Sequence, residues 1–168
     1  MQLSKKDRVL LINQYKILAA LDKGGSDHYE ELIEILENGY EIFYKMLDQW
    51  ISDDMPTEEG KFVLDILDLY RAIENTKRST KSQELMAHPF AVFMGFDGNY
   101  ETEYMGFCRF LIERQGKFQE QQQYLIKNDN LNSHASMVDK YKRMLAAAKD
   151  VADIWDMSVE DAMKILSA

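Results

Sequence analysis

Apolar positions recur along most of the chain with a helical period. After Ser4, Leu11, Tyr15 and Leu18 fall at i, i+4 and i+7, and Leu10, Ile17 and Leu21 widen the stripe. Ser4 with Asp7 three residues on is a capping pair, and Gly24-Gly25 ends the segment. A second helix is predicted from Ser26 or Asp27, with Glu30 at the capping-box position, Leu32, Ile35 and Leu36 on its apolar face, and Gly39 as its stop. Residues 40–47 alternate poorly, so helix is preferred to strand there. Asp53-Asp54-Met55-Pro56 is the clearest break. From Thr57 to about residue 79, Phe62, Ile66, Leu69, Tyr70 and Ile73 mark one face of a long helix. Lys61–Asp65 and Glu74–Arg78 are spaced as ion pairs on the other.

Residues 85–96 are apolar but lack helical punctuation, and Pro89 biases His88 to extended geometry. The pattern predicts a buried connector there, with a short strand at most. Asp97 or Asn99 is expected to cap a helix carrying Tyr100, Tyr104, Phe107 and Leu111, ended by Gly116. Residues 117–127 are ambiguous, with Gln119 to Gln123 read as polar surface. Asn128 to Ser133 reads as a loop. Ser136 is expected to cap a helix carrying Val138, Tyr141, Leu145, Ala148, Ala152 and Trp155. Ser158 with Asp161 should cap a last short helix. The fold class expected is all-α: six or seven helices in a multihelical array, with at most one short extended segment near 90–96. A single domain over 1–168 is expected, divisible into helical parts 1–55 and 56–168 that do not fold separately.

Composition narrows this further. A chain of 168 residues can build a core without disulfides or a structural metal. Ten Pro plus Gly in total speak against a hairpin-rich β fold. One Cys excludes a disulfide framework and a multi-Cys metal site. No apolar run nears the ~20 residues of a membrane span, and the N-terminus has no apolar signal core, so a cytoplasmic protein is expected. The net charge is −9, and it is uneven: residues 22–74 hold 15 acids and four bases. Such acidity weighs against binding to nucleic acid. Three basic clusters keep that reading open: Lys5/Lys6/Arg8, Lys77/Arg78/Lys81, and Lys140, Lys142 and Arg143 with Lys149.

Candidate chemistry is sparse. His28, His88 and His134 form no HxxxH or HExxH pair, and no metal or cofactor is expected. Asp97 to Glu103 imitates the opening of a calcium loop, but Thr102 stands where glycine is required and Cys108 where glutamate is. Asp65 and Asp68, with Glu58 and Glu59 nearby, can share a helix face, without the Glu-x-x-His pairs of di-metal bundles. There is no GxSxG, P-loop or GxGxxG. Nine Tyr, eight Phe, two Trp and ten Met suggest adaptable packing or a surface that meets a partner.

Several segments, in this order and spacing, resemble the YfbU family essentially end to end. They are Asn13-Gln14-Tyr15-Lys16, Gly39-Tyr40, Ile66 to Tyr70, Gly95-Phe96-Asp97, Tyr104-x-Gly106-Phe107-x-Arg109-Phe110, Lys140-Tyr141-x-Arg143-Met144-Leu145 and the Ser158 cap. The resemblance implies a compact, all-helical protein of the bacterial cytoplasm and places no catalytic set on these residues. It directs attention to Asn13, Gln14 and Lys16, polar residues within an apolar helix, as a contact surface. Asp97, Tyr104 and Arg109 form a second candidate group, with Arg109 pairing Asp97 or Glu113 and stacking on a ring. Lys140, Lys142 and Arg143 are the candidate basic patch. The leading expectation is a non-enzymatic interaction or regulatory module that forms a homo-oligomer, with any other protein partner unspecified. The alternatives are a nucleic-acid-associated regulator, or an enzyme or ligand binder whose pocket gathers two or more of Asp97, Glu101, Arg109, Tyr104 and His88.

Overall fold

A computed structural model describes residues 2–125 and 128–168. Among them it contains eight α-helices, two 3-10 segments and one π-helical turn, and the only strand-like pairing is an isolated bridge between Phe96 and Asn132. The protein is all-α. No described helix is long and apolar enough to cross a membrane. The chain divides into two compact units, Met1–Asp54 and Met55–Ala168.

In the first unit, α1 (Lys5–Leu21) packs against α2 (Ser26–Asn38), followed by a 3-10 segment (Glu41–Leu47). Ser4 and Asp7 form the expected capping box. Ser26 and Asp27 do not cap α2. Its first turn follows Gly25 without a side-chain cap, so the Asp27–Glu30 spacing serves no box. Gly39 adopts φ +69°, and a Cβ there would lie 2.6 Å from the Arg8 guanidinium. That guanidinium in turn donates to the Leu36 carbonyl at 2.9 Å, among the free carbonyls at the end of α2. Leu32, Ile35, Leu36, Tyr44 and Leu47 form the small core. Leu11, Ile12 and Tyr15 pack on it only in part, and α1 buries no residue fully. Leu10, Ile17 and Leu21 point the other way. The single wide stripe read from the sequence is two stripes on opposite faces.

The second unit is built around α3 (Thr57–Thr80). α5 (Thr102–Arg109), α6 (Gln119–Leu125), α7 (Val138–Ala148), α8 (Val159–Ser167) and the 3-10 turn Ile154–Asp156 all contact it. From Ile66 to Lys77 α3 is buried on nearly every side, polar Glu74, Thr76 and Lys77 included. The short α4 (Gln83–Ala87) leads into a non-helical stretch that runs through the core.

That stretch decides much of the architecture. Ala91, Phe93, Gly95 and Phe96 are fully buried, and a buried backbone without a sheet ladder must find other partners. Side chains supply them. Tyr70 Oη donates to the Phe90 carbonyl at 3.1 Å, Lys77 Nζ to Ala91 O at 3.0 Å, Asn128 Nδ2 to Phe93 O, and Tyr141 Oη to Gly95 O at 2.9 Å. The bridge at Phe96 adds its N–H to Leu131 O at 3.0 Å and its carbonyl to the Ser133 N–H at 3.1 Å. Gly95 is needed here: φ is +84°, and a Cβ would stand 2.0 Å from Leu131 O. The rings of Tyr70, Phe93, Phe96 and Tyr141 pack around this segment with centroids 5.1–5.9 Å apart, and Tyr104 stacks on Phe96 at 5.5 Å.

Several sequence expectations change. Tyr100 lies outside α5 and is exposed. α5 runs on as a π turn over Phe110–Arg114 before Gly116 ends it with φ +64°. α7 stops at Ala148, leaving Ala152 and Trp155 outside it. Gln121, expected at the surface, is fully buried, and neither polar atom of its amide has a partner among the described residues. Positions 126 and 127 of the ambiguous stretch lie outside the described residues.

Candidate functional site

Two polar nodes in the second unit are built from residues far apart in sequence. In the first, Lys77 Nζ meets Glu74 Oε1 at 2.6 Å, Ala91 O at 3.0 Å and Tyr124 Oη at 3.3 Å, while Tyr124 Oη donates to Glu74 Oε1 at 2.7 Å. All three side chains are buried. Burial and the adjoining Glu74 carboxylate push the Tyr124 phenol well above its ordinary range. Lys77 is present because Ala91 needs a donor, and Glu74 neutralises Lys77. Glu74 therefore pairs with Lys77 rather than Arg78, and Lys61 pairs with Glu58 at 3.2 Å rather than Asp65. The pairing also removes Lys77 from the surface basic cluster.

The second node centres on Glu101. Its carboxylate accepts from the Asp97 N–H at 2.9 Å, from the Ser136 hydroxyl, and from the Met137 and Val138 N–H groups at 2.9 Å. Glu101 thus caps α7 from 36 residues away, where Ser136 was expected to do so. Burial works to raise this carboxyl, but the hydrogen bonds outweigh it and hold it below the ordinary range. Asp97 does not cap α5. It is buried and its side chain accepts from the Asn99 N–H at 2.8 Å, forming a turn.

The sequence-derived candidates separate into these surroundings. Asp97 and Tyr104 lie in the packed surroundings of Glu101 and Phe96. Arg109 donates to the Asn130 carbonyl at 2.7 Å, and among the described residues it pairs with neither Asp97 nor Glu113. The arginine stacked on a ring is Arg71, 4.3 Å from the Phe118 centroid and 2.6 Å from Glu120. His88 accepts from the Phe90 N–H through Nδ1. Burial, then nearby Lys140, lowers its pKa. Lys140 Nζ donates to Leu166 O at 2.7 Å and lies 4.4 Å from the Phe90 ring, and Arg143 Nε donates to Ala168 O at 3.0 Å. Lys142 is exposed. Burial pushes the Cys108 thiol well up, far from the range of a nucleophile. Among the described residues no three His, Cys, Asp or Glu side chains are grouped to hold a metal.

Two surfaces are left open. The outer face of α1 presents Leu10, Ile17 and Leu21, with 55%, 60% and 78% of each residue exposed. Asn13 and Gln14 fall between Leu10 and Ile17 on that face, and Lys16 turns aside to Glu37 at 3.0 Å. In the second unit, a cleft of about 420 Å³ lies where α3, α7 and the 154–156 turn meet. Leu69, Leu145 and the half-exposed Trp155 line it, with Asp65, Asp68 and Lys149 as its charged groups. Burial raises the Asp68 carboxyl, with Arg71, 3.7 Å away, opposing. The sequence had marked Asp65 and Asp68 as sharing a face. Nothing in it showed that Trp155 and Lys149 would meet them.

The chain is 44% identical over 169 residues to the UPF0304 protein MJECS11 of Methanocaldococcus jannaschii, covering 99% of each chain. The family model for the YfbU domain matches residues 1–168, and the chain belongs to the YfbU family.

Proposed function

We propose that the protein is a non-enzymatic interaction or regulatory module of the cytoplasm that acts as a homo-oligomer, joined through the outer face of α1. The observation that carries this reading is a helix of 17 residues that buries none of them, yet bears apolar residues on both sides. An amphipathic helix packed once has one apolar face. Here the Leu11/Tyr15 side meets the unit's own core, and the Leu10/Ile17/Leu21 side has no partner among the unit's described residues. Exposed Ile42 and Trp50 in the same unit add to its apolar surface. A second copy is the fitting occupant. A two-fold contact sets the same stripe against itself, and Asn13 and Gln14 can then pair across it and hold the register.

The competing readings have less support. Lys77 is buried and Lys140 and Arg143 are engaged with carbonyl oxygens, which weakens two of the three basic clusters as phosphate contacts. The Asp97, Glu101 and Tyr104 group is packed around α7 rather than gathered at an opening. Light scattering of the purified chain beside Ile17→Glu tests the proposal. The wild type is expected at a multiple of 19.6 kDa and the variant at 19.6 kDa. A wild-type monomer at roughly 100 μM, where even a weak specific dimer should be populated, overturns it.

A further inference from the structure

The cleft at the meeting of α3, α7 and the 154–156 turn combines apolar side chains with charged groups of both signs. Its floor is apolar, with Leu69 and Ala148 belonging to the core. Its wall is Trp155, whose backbone N–H is held by Asp153 Oδ1 at 2.8 Å, so that the indole is displayed in a defined turn rather than on a loose loop. Asp65 and Asp68 stand about one turn apart on α3. Lys149 lies at the end of α7. Asp68 is partly offset by Arg71, but among the described residues neither Asp65 nor Lys149 has an ion-pair partner, although both line the same opening. A volume of about 420 Å³ falls within the range of small-molecule sites.

We propose that this cleft binds a small zwitterion with an apolar tail, namely an α-amino acid with a large aromatic or aliphatic side chain. The ammonium faces Asp65 and Asp68, the carboxylate faces Lys149, and the side chain lies on Leu69 and Leu145 against the Trp155 ring. Each feature of the lining has a use in this arrangement. A plain organic cation would leave Lys149 opposing it, and a plain carboxylate would meet two acids. Charge complementarity of both signs, on an apolar floor, selects the molecule that carries both.

The test is an NMR titration of the full chain, read at the indole N–H of Trp155, which its loss in Trp155→Phe assigns. The probes are L-phenylalanine, phenethylamine and 3-phenylpropanoate. L-phenylalanine should shift the Trp155 signal saturably, and each analogue should bind at least roughly tenfold more weakly, the loss of one charge-assisted contact. Asp65→Asn with Asp68→Asn should erase the gap between L-phenylalanine and 3-phenylpropanoate. Lys149→Gln should erase the gap between L-phenylalanine and phenethylamine. All three positions are on the surface of the unit, and unchanged melting curves will show that the variants are folded. A Trp155 signal that does not move up to about 10 mM L-phenylalanine, or analogues that bind as well as the amino acid, overturns the proposal.

Discussion

Replacing Lys77 with Met tests the account of the buried core segment most sharply. In the native protein this ammonium holds three groups: Glu74 Oε1, the Ala91 carbonyl and Tyr124 Oη. The methionine fills the same volume but donates nothing. Glu74, with only 9% of its side chain exposed, then keeps a charge supported by Tyr124 alone. Breaking one side of a buried pair costs about 3–5 kcal/mol, because the remaining charge is uncompensated. The orphaned Ala91 carbonyl adds about 1–3 kcal/mol. For a chain of this size even the lower end of that sum, about 4 kcal/mol, lowers the Tm by roughly 8–16 °C. Removing both charges, Lys77→Met with Glu74→Leu, leaves only the carbonyl and a tyrosine hydroxyl without partners, about 1–3 kcal/mol each. The double variant is therefore expected to be more stable than Lys77→Met alone. Urea denaturation followed by circular dichroism gives all corners of this cycle. A Lys77→Met cost below about 1 kcal/mol, or strictly additive losses, would refute the reasoning.

Three further expectations concern other positions of the second unit. Gly95→Ala should cost more than about 3 kcal/mol or prevent folding, since backbone oxygen at 2.0 Å cannot move aside as a side chain can. Gly106→Ala, within α5 with open space around its Cβ, should instead gain about 0.5–1 kcal/mol; thermal melts of the pair decide both. Glu101 makes the acid limb of stability informative. Its carboxyl is held below the ordinary range in the folded state, so its contribution is fully present above the unfolded value near ~4.3 and is lost as pH falls through the lower folded value. Glu101→Gln should therefore be less stable than wild type at neutral pH, with the difference narrowing on acidification in denaturation curves taken between about pH 3 and 7.

Much of the helical framework was readable because its signals are local. The Ser4–Asp7 and Ser158–Asp161 boxes, the stops at Gly39 and Gly116, and the break before Thr57 each depend on neighbours within a turn. What escaped notice depends on distance. Nothing near Ser136 reveals that Glu101 holds the start of α7, and the spacing of Glu74 fits Lys77 as well as Arg78. Only the burial of Ala91 decides between them. The same holds for α1, where apolar spacing counts residues but not sides: Leu10, Ile17 and Leu21 look like a widened stripe until Leu11 and Tyr15 are seen to take the core. Gln121 misleads in the opposite sense, a polar residue in a glutamine run that the packing of α6 turns inward.

The outer face of α1 carries the functional reading, and hydrogen exchange measures it directly. A helix packed on one side only belongs to the readily opening part of a structure. Covered by a second copy, the amides of residues 10–21 gain protection that Ile17→Glu removes, while those of residues 63–77 in α3 exchange alike in both proteins. That pattern is what the account predicts. Equal and rapid exchange of α1 in wild type and variant, at concentrations high enough for assembly, would contradict it.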